Sequence, residues 1–93
     1  MTKLQILMPV YNEASSIENT LNEINDTLKD KIEFEFIISE DGSSDGTKEI
    51  LKKLKDIYPM KLISESVRKN YSKAVIDGIK KADADYLLIK DSD

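Results

Sequence analysis

The side chains able to do chemistry fall in three short stretches of this 93-residue sequence. The last of them, Asp91-Ser92-Asp93, sets two carboxylates two positions apart. On an extended backbone such residues point to the same side. Two like charges that close are unfavourable unless a cation or hydrogen-bond donors lie between them and their ligand. Alone, the pair reads equally well as a solvated terminus. The middle stretch runs Glu40-Asp41-Gly42-Ser43-Ser44-Asp45-Gly46-Thr47. Its Asp41 is placed to accept a hydrogen bond from the ring N–H of a base. Asp45 or Ser44 is expected to cap the following helix, and the glycines permit a tight turn. In the first stretch, Pro9-Val10-Tyr11-Asn12-Glu13, proline stops a strand, asparagine bends the chain and Glu13 precedes a helix N-terminus that favours negative charge. Turn formation does not account for Tyr11, whose aromatic face suits a nucleobase.

The missing residue types exclude much else. With no Cys and no His there is no disulfide, thiolate nucleophile, zinc–thiolate site, catalytic triad or imidazole base. A metal held here must be hard and oxygen-bound: Mg, Mn or Ca. The balance of 14 Lys+Arg against 18 Asp+Glu, a net charge of −4, argues against a nucleic-acid partner. Lys52-Lys53 and Lys80-Lys81 read as solvated helix faces.

Gly42 to Lys48 imitates a phosphate-binding loop, but three residues rather than four separate its glycines, and Thr47 precedes the lysine. Asp41, Ser43, Asp45 and Gly46 imitate the start of a calcium loop, whose twelfth position, normally a glutamate, is Lys52. The apolar runs are too short to span a bilayer, and Ile6-Leu7-Met8 is too short for a signal peptide. The expectation is one small soluble cytoplasmic domain without a membrane segment.

Elements to position the three stretches follow from periodicity. Lys3 to Met8 reads as a buried strand stopped by Pro9. The Ser15-x-x-Glu18 capping box opens a helix to Leu28, with Ile17, Leu21, Ile24 and Leu28 on one face. Phe34 to Ile38 marks a second strand, Thr47 to Ile57 a second helix, and Met60 to Ser64 a third strand. A third helix carries Val75, Ile76, Ile79 and Ala82 on one face, before a strand from Asp85 to Lys90. The expected architecture is α/β, a mainly parallel sheet of about four strands with three helices on both faces. Ligands of such sheets sit at the carboxyl ends of the strands, where all three stretches fall.

Met8 to Glu13, Ile38 to Thr47 and Asp91 to Asp93, in that order, resemble the N-terminal part of a family 2 glycosyltransferase with the Rossmann-like GT-A fold. Arg68 to Ala74 with Gly78 looks like the segment that precedes the Asp-x-Asp in polyprenol-phosphate sugar transferases. The resemblance implies that Pro9, Tyr11 and Glu13 line the base and ribose pocket of a nucleotide-sugar, that Asp41 binds the base, and that Arg68 or Lys69 approaches the nucleotide. It implies that Asp91 and Asp93 hold Mg or Mn on the diphosphate, or that one of them contacts the ribose or sugar. It further implies inverting transfer from a UDP- or GDP-sugar to a polyprenyl phosphate or a saccharide, at the cytoplasmic face of a membrane. In the family it resembles, many members carry Asp-Asp where this chain has Glu40-Asp41, and those of the polyprenol-phosphate type usually carry glycines near Asn70 and Ser72. The family's catalytic base and acceptor site follow the Asp-x-Asp, so no catalytic residue is assigned within residues 1–93, which read as a donor-binding portion truncated at that motif. The rival expectation is a non-catalytic nucleotide- or Mg-binding α/β module of the receiver type, for which the phosphoacceptor aspartate and later lysine cannot both be found.

Overall fold

A computed structural model describes residues 2–92. Its elements are β1 (Leu4–Val10), α1 (Ile17–Leu28), β2 (Phe34–Glu40), α2 (Thr47–Leu54), β3 (Met60–Ser64), α3 (Tyr71–Lys81) and β4 (Tyr86–Ile89). The four strands form one parallel sheet in the order β3-β2-β1-β4. Alternation along β1 and β2 divides the core between the two faces. Ile6, Met8 and Val10 with Phe34, Phe36 and Ile38 meet Ile17 and Leu21 of α1 and Leu51 and Leu54 of α2. Each such buried side chain is worth about 1.5–3 kcal/mol relative to exposure. The opposite face, with Leu7 and Ile37, is covered by α3.

Four details depart from the sequence expectations, each for a local reason. β1 does not stop at Pro9 but continues to Val10 beside Glu40. The Leu7 carbonyl accepts from the Lys90 N–H on the β4 side, and alternation turns position 9 the same way. The proline therefore removes only the next β1–β4 bond, and that ladder ends at Leu7–Ile89 while pairing with β2 runs on. The capping box does not form: α1 begins after Ser16, which makes no side-chain cap. Glu13 builds the entry instead, its carbonyl accepting from the Ser16 and Ile17 N–H groups and its carboxylate from the Ser16 hydroxyl. α2 stops at Leu54 and passes through a turn that leaves Ile57 exposed.

The buried face of α3 is Ala74 and Gly78, not the isoleucine stripe, and Ile76 and Ile79 remain 49% and 46% exposed. Small residues four apart let the helix settle onto β1, where a Cβ at Gly78 would lie 2.1 Å from Leu7 Cδ1.

Buried Gln5 fastens the turn between α3 and β4. Its carbonyl oxygen accepts from the Asp83 and Ala84 N–H groups, at 2.7 and 3.0 Å, and its amide donates to Asp83 and Glu35. The four residues of β4 are all exposed, although an edge of Tyr86-Leu87-Leu88-Ile89 is apolar on both sides. Among the described residues no helix is long and apolar enough to cross a membrane.

Candidate functional site

All strands are parallel, so the ends of β1, β2 and β4 open onto one rim. The 11–14 and 43–47 loops are knitted into one platform there. The Asn12 N–H donates to Ser43 Oγ at 2.9 Å, and Asn12 Oδ1 accepts from the Ser44 N–H at 2.8 Å. The Glu13 N–H donates to Thr47 Oγ1, and the Ala14 N–H donates to Asp45 Oδ2. Asn12 has φ +52°, a left-handed conformation that asparagine tolerates better than most residues. The N-cap of α2 is Gly46 rather than Asp45 or Ser44, but Asp45, one position earlier, accepts from the Thr47 N–H and hydroxyl and so braces the helix start. Its carboxyl is held below the ordinary range, chiefly by that hydroxyl, against an opposing effect of burial.

Asp41, 3% exposed, follows β2 directly. Its Oδ1 accepts from the backbone N–H groups of Lys69 and Asn70 at 2.7 and 3.3 Å, and Oδ2 lies 3.8 Å from Arg68 Nε. The 65–70 loop is thus seated on the end of β2. The seat requires glycine at position 42, where φ is +72° and any Cβ would meet the Arg68 backbone nitrogen at 2.3 Å.

Glu40 is 1% exposed and turned away from the rim. It accepts from the Ser43 N–H and from the Ser64 hydroxyl at 3.0 Å, with Lys48 Nζ at 3.9 Å. It braces the turn that carries Asp41.

Two adjoining hollows lie on this rim. The larger, about 360 Å3, is lined by Pro9, Tyr11, Glu13, Arg68, Tyr71, Asp91 and Ser92. The smaller, about 60 Å3, shares Pro9, Tyr11, Arg68 and Tyr71 and reaches Asp41. Five of the sequence-derived candidates therefore meet in one hollow, and Asp41 stands at its inner end. Lys69 lines neither hollow, and its contribution is the backbone N–H to Asp41. Asp93 lies outside the described residues.

One face of Tyr11 is not open. The Arg68 guanidinium stacks on it with its carbon 3.9 Å from the ring centroid, which leaves no gap for a second ring between them. Tyr71 went unassigned from the sequence, although it is an aromatic at a helix start facing the same rim as Tyr11. Its hydroxyl donates to Asp91 Oδ1 at 3.1 Å, and that carboxylate holds the phenol above its ordinary pKa. Ser92 is also new, buried beside Thr20.

The model of glycosyl transferase family 2 matches residues 5–93. This chain belongs to that family.

Among family 2 relatives, a dolichol-phosphate mannosyltransferase of Pyrococcus furiosus is 33% identical over 91 residues, covering 98% of this chain and 26% of that protein. A poly-beta-1,6-N-acetyl-D-glucosamine synthase of Staphylococcus epidermidis is 32% identical over 90 residues, covering 97% of this chain and 21% of its own length. Among solved structures, the mannosyltransferase PcManGT from Pyrobaculum calidifontis, in complex with GDP-Man and Mn2+, superposes with a TM-score of 0.83 at 26% identity. That match covers 98% of this chain and 27% of the other. The S. aureus TarS 1-349 structure in complex with UDP gives the same TM-score of 0.83 and 26% identity, over 99% of this chain and 28% of that one. The α/β architecture is thus that of the GT-A glycosyltransferases, and this chain spans less than a third of the length of these curated relatives, 26% and 21%.

Proposed function

We propose that this chain is the donor-binding half of a hexosyltransferase that moves a sugar from a UDP- or GDP-sugar to a lipid phosphate or a saccharide. The observation that carries the reading is the single hollow in which Pro9, Tyr11, Glu13, Arg68 and Asp91 meet beside Asp41. The ligands of the structural neighbours, GDP-Man with Mn2+ in one and UDP in the other, support the same reading. So does the Pyrococcus relative, named for dolichol phosphate.

In this reading Asp41 keeps Oδ1 on the 65–70 loop and offers Oδ2 to the ring N–H of the base. Arg68 lies on Tyr11 and presents its own outer face to the base, so that phenol, guanidinium and base form three layers. Pro9 and Glu13 wall the ribose, and Asp91 faces the diphosphate from the far lip.

The donor set at that lip suits a hard divalent cation such as Mg or Mn, which takes one or two carboxylates and fills its other positions with phosphate oxygen and water. Asp91 is the described carboxylate there, and Asp93, outside the described residues, is the second we assign. When bound, such a cation neutralises charge developing on the leaving diphosphate. In the transfer itself an acceptor oxygen forms the new bond at the anomeric carbon as the bond to the nucleoside diphosphate breaks on the opposite face. The acceptor oxygen belongs to a hydroxyl that has given up its proton to a base beyond residue 93 or to an already ionised phosphate, and the donor half sits on the cytoplasmic side of the membrane.

The test is calorimetric titration of the chain with UDP and with GDP, with and without Mn2+. One nucleotide should bind more tightly with Mn2+, and Asp91→Ala should abolish most of that gain. Absent heat for both, or binding indifferent to Mn2+, would overturn the reading.

A further inference from the structure

Tyr71 is the first residue of α3, yet its side chain does not cap that helix. The cap is supplied by Asn70, whose Oδ1 accepts from the Lys73 N–H at 2.9 Å. Nor does the ring belong to the core, being 54% exposed. It leans across the rim instead, lining both hollows and donating its hydroxyl to Asp91 Oδ1. Asp91 gains a restraint from outside its own strand: it follows β4 beyond the last β1–β4 pair, Leu7–Ile89, where Pro9 has no N–H to donate to this edge. The Tyr71 hydroxyl reaches it from the α3 side.

We propose that Tyr71 is a positioning residue of the donor site: its hydroxyl occupies Asp91 Oδ1, so that Oδ2 alone is aimed at the diphosphate and its cation. Its ring meanwhile separates the base end of the hollow from the diphosphate end. The proposal deepens the donor-site reading and rests on it. Groups that orient a ligating carboxylate typically contribute about 10–100-fold to metal affinity or activity. The effect of Tyr71 is therefore confined to ligands that engage Asp91.

The experiment compares wild type, Tyr71→Phe, Asp91→Asn and the double variant by calorimetry. The probes are the nucleoside diphosphate with Mn2+ and the matching nucleoside without metal. Tyr71→Phe keeps the ring, so the nucleoside should bind as in wild type, while the diphosphate with Mn2+ binds about 10-fold more weakly. In the Asp91→Asn background, removing the hydroxyl should add nothing. Equal weakening of both probes, no change in either, or additive effects in the double variant would overturn the role of Tyr71. If wild type binds neither probe, the donor-site reading itself falls. Hydrogen exchange of the metal-free chain supplies an independent readout: the amides at Asp91 and Ser92 should exchange faster in Tyr71→Phe, and unchanged rates would count against the restraint.

Discussion

Replacing Gly42 by alanine isolates the contact on which the 65–70 loop is seated. The added Cβ would stand 2.3 Å from the Arg68 nitrogen, 2.3 Å from the Val67 carbonyl carbon and 2.7 Å from the Val67 oxygen. Comfortable carbon contacts begin at about 3.5 Å, so the 65–70 loop has to retreat by about 1 Å. Retreat of that size carries the Asn70 N–H, already 3.3 Å from Asp41 Oδ1, out of range and stretches the 2.7 Å bond from Lys69 to its limit. A side chain forced into left-handed backbone adds about 1–2 kcal/mol. A lost hydrogen bond to a charged group adds about 1.5–3 kcal/mol. Gly42→Ala should therefore cost about 2.5–5 kcal/mol, a large share of the roughly 5–15 kcal/mol that holds a domain folded. Gly46→Ala is the control, since position 46 has φ +97° but open space around its Cβ, and should carry the backbone term alone. Urea unfolding followed by circular dichroism measures both, and nucleotide titration should show that only Gly42→Ala loses affinity. If the two variants unfold together and bind nucleotide alike, the loop is not seated on Gly42 and the account of Asp41 is wrong.

Gly78→Ala gains about 1 kcal/mol in helix propensity but drives a methyl into buried Leu7, where overpacking costs about 1–3 kcal/mol. Urea unfolding should show a net loss of up to about 2 kcal/mol, and a stabilised variant would mean that α3 has slack over β1. Arg68→Ala should weaken nucleotide binding about 3–10-fold, from a stacking contribution on the order of 1 kcal/mol. Tighter binding would mean instead that the guanidinium occupies the place of the base. Asp45→Asn should lower the melting temperature at neutral pH. Because the folded carboxyl titrates below its unfolded value of about 3.9, its contribution is present above that pH and is lost as pH falls through the folded pKa. The gap between the two melting temperatures should accordingly close below about pH 4, and a gap unchanged in acid would refute the assignment.

The order of strands and helices was legible because apolar periodicity reports burial directly, and the three loops were legible because they fall at strand ends. What periodicity does not carry is the partner of each strand. Pro9 reads as a stop until β4, from the far end of the chain, is known to lie on the side its ring nitrogen faces. The stripe of Ile76 and Ile79 looked like the core face of α3 because bulk dominates a hydrophobicity reading, whereas close approach to Leu7 selected Ala74 and Gly78. Tyr11 and Asp41 were found as residue types, but their occupation by Arg68 and the 65–70 loop joins positions far apart in sequence. Glu40 reads from the sequence as one more acidic residue at a strand end, and only its three partners reveal a brace rather than a ligand.

The ring nitrogen of Pro9 has a consequence for how a sheet can be both scaffold and vessel. Strands held together along their whole length present a sealed edge, with no notch into which a long polyanion can be laid. Here the seam between β1 and β4 unzips at a single residue, while the seam on the β2 side stays shut as far as Glu40, beside Asp41. Any other amino acid at this position would restore a donor and invite the seam to close, so the chain separates its grip from its gap with one missing hydrogen.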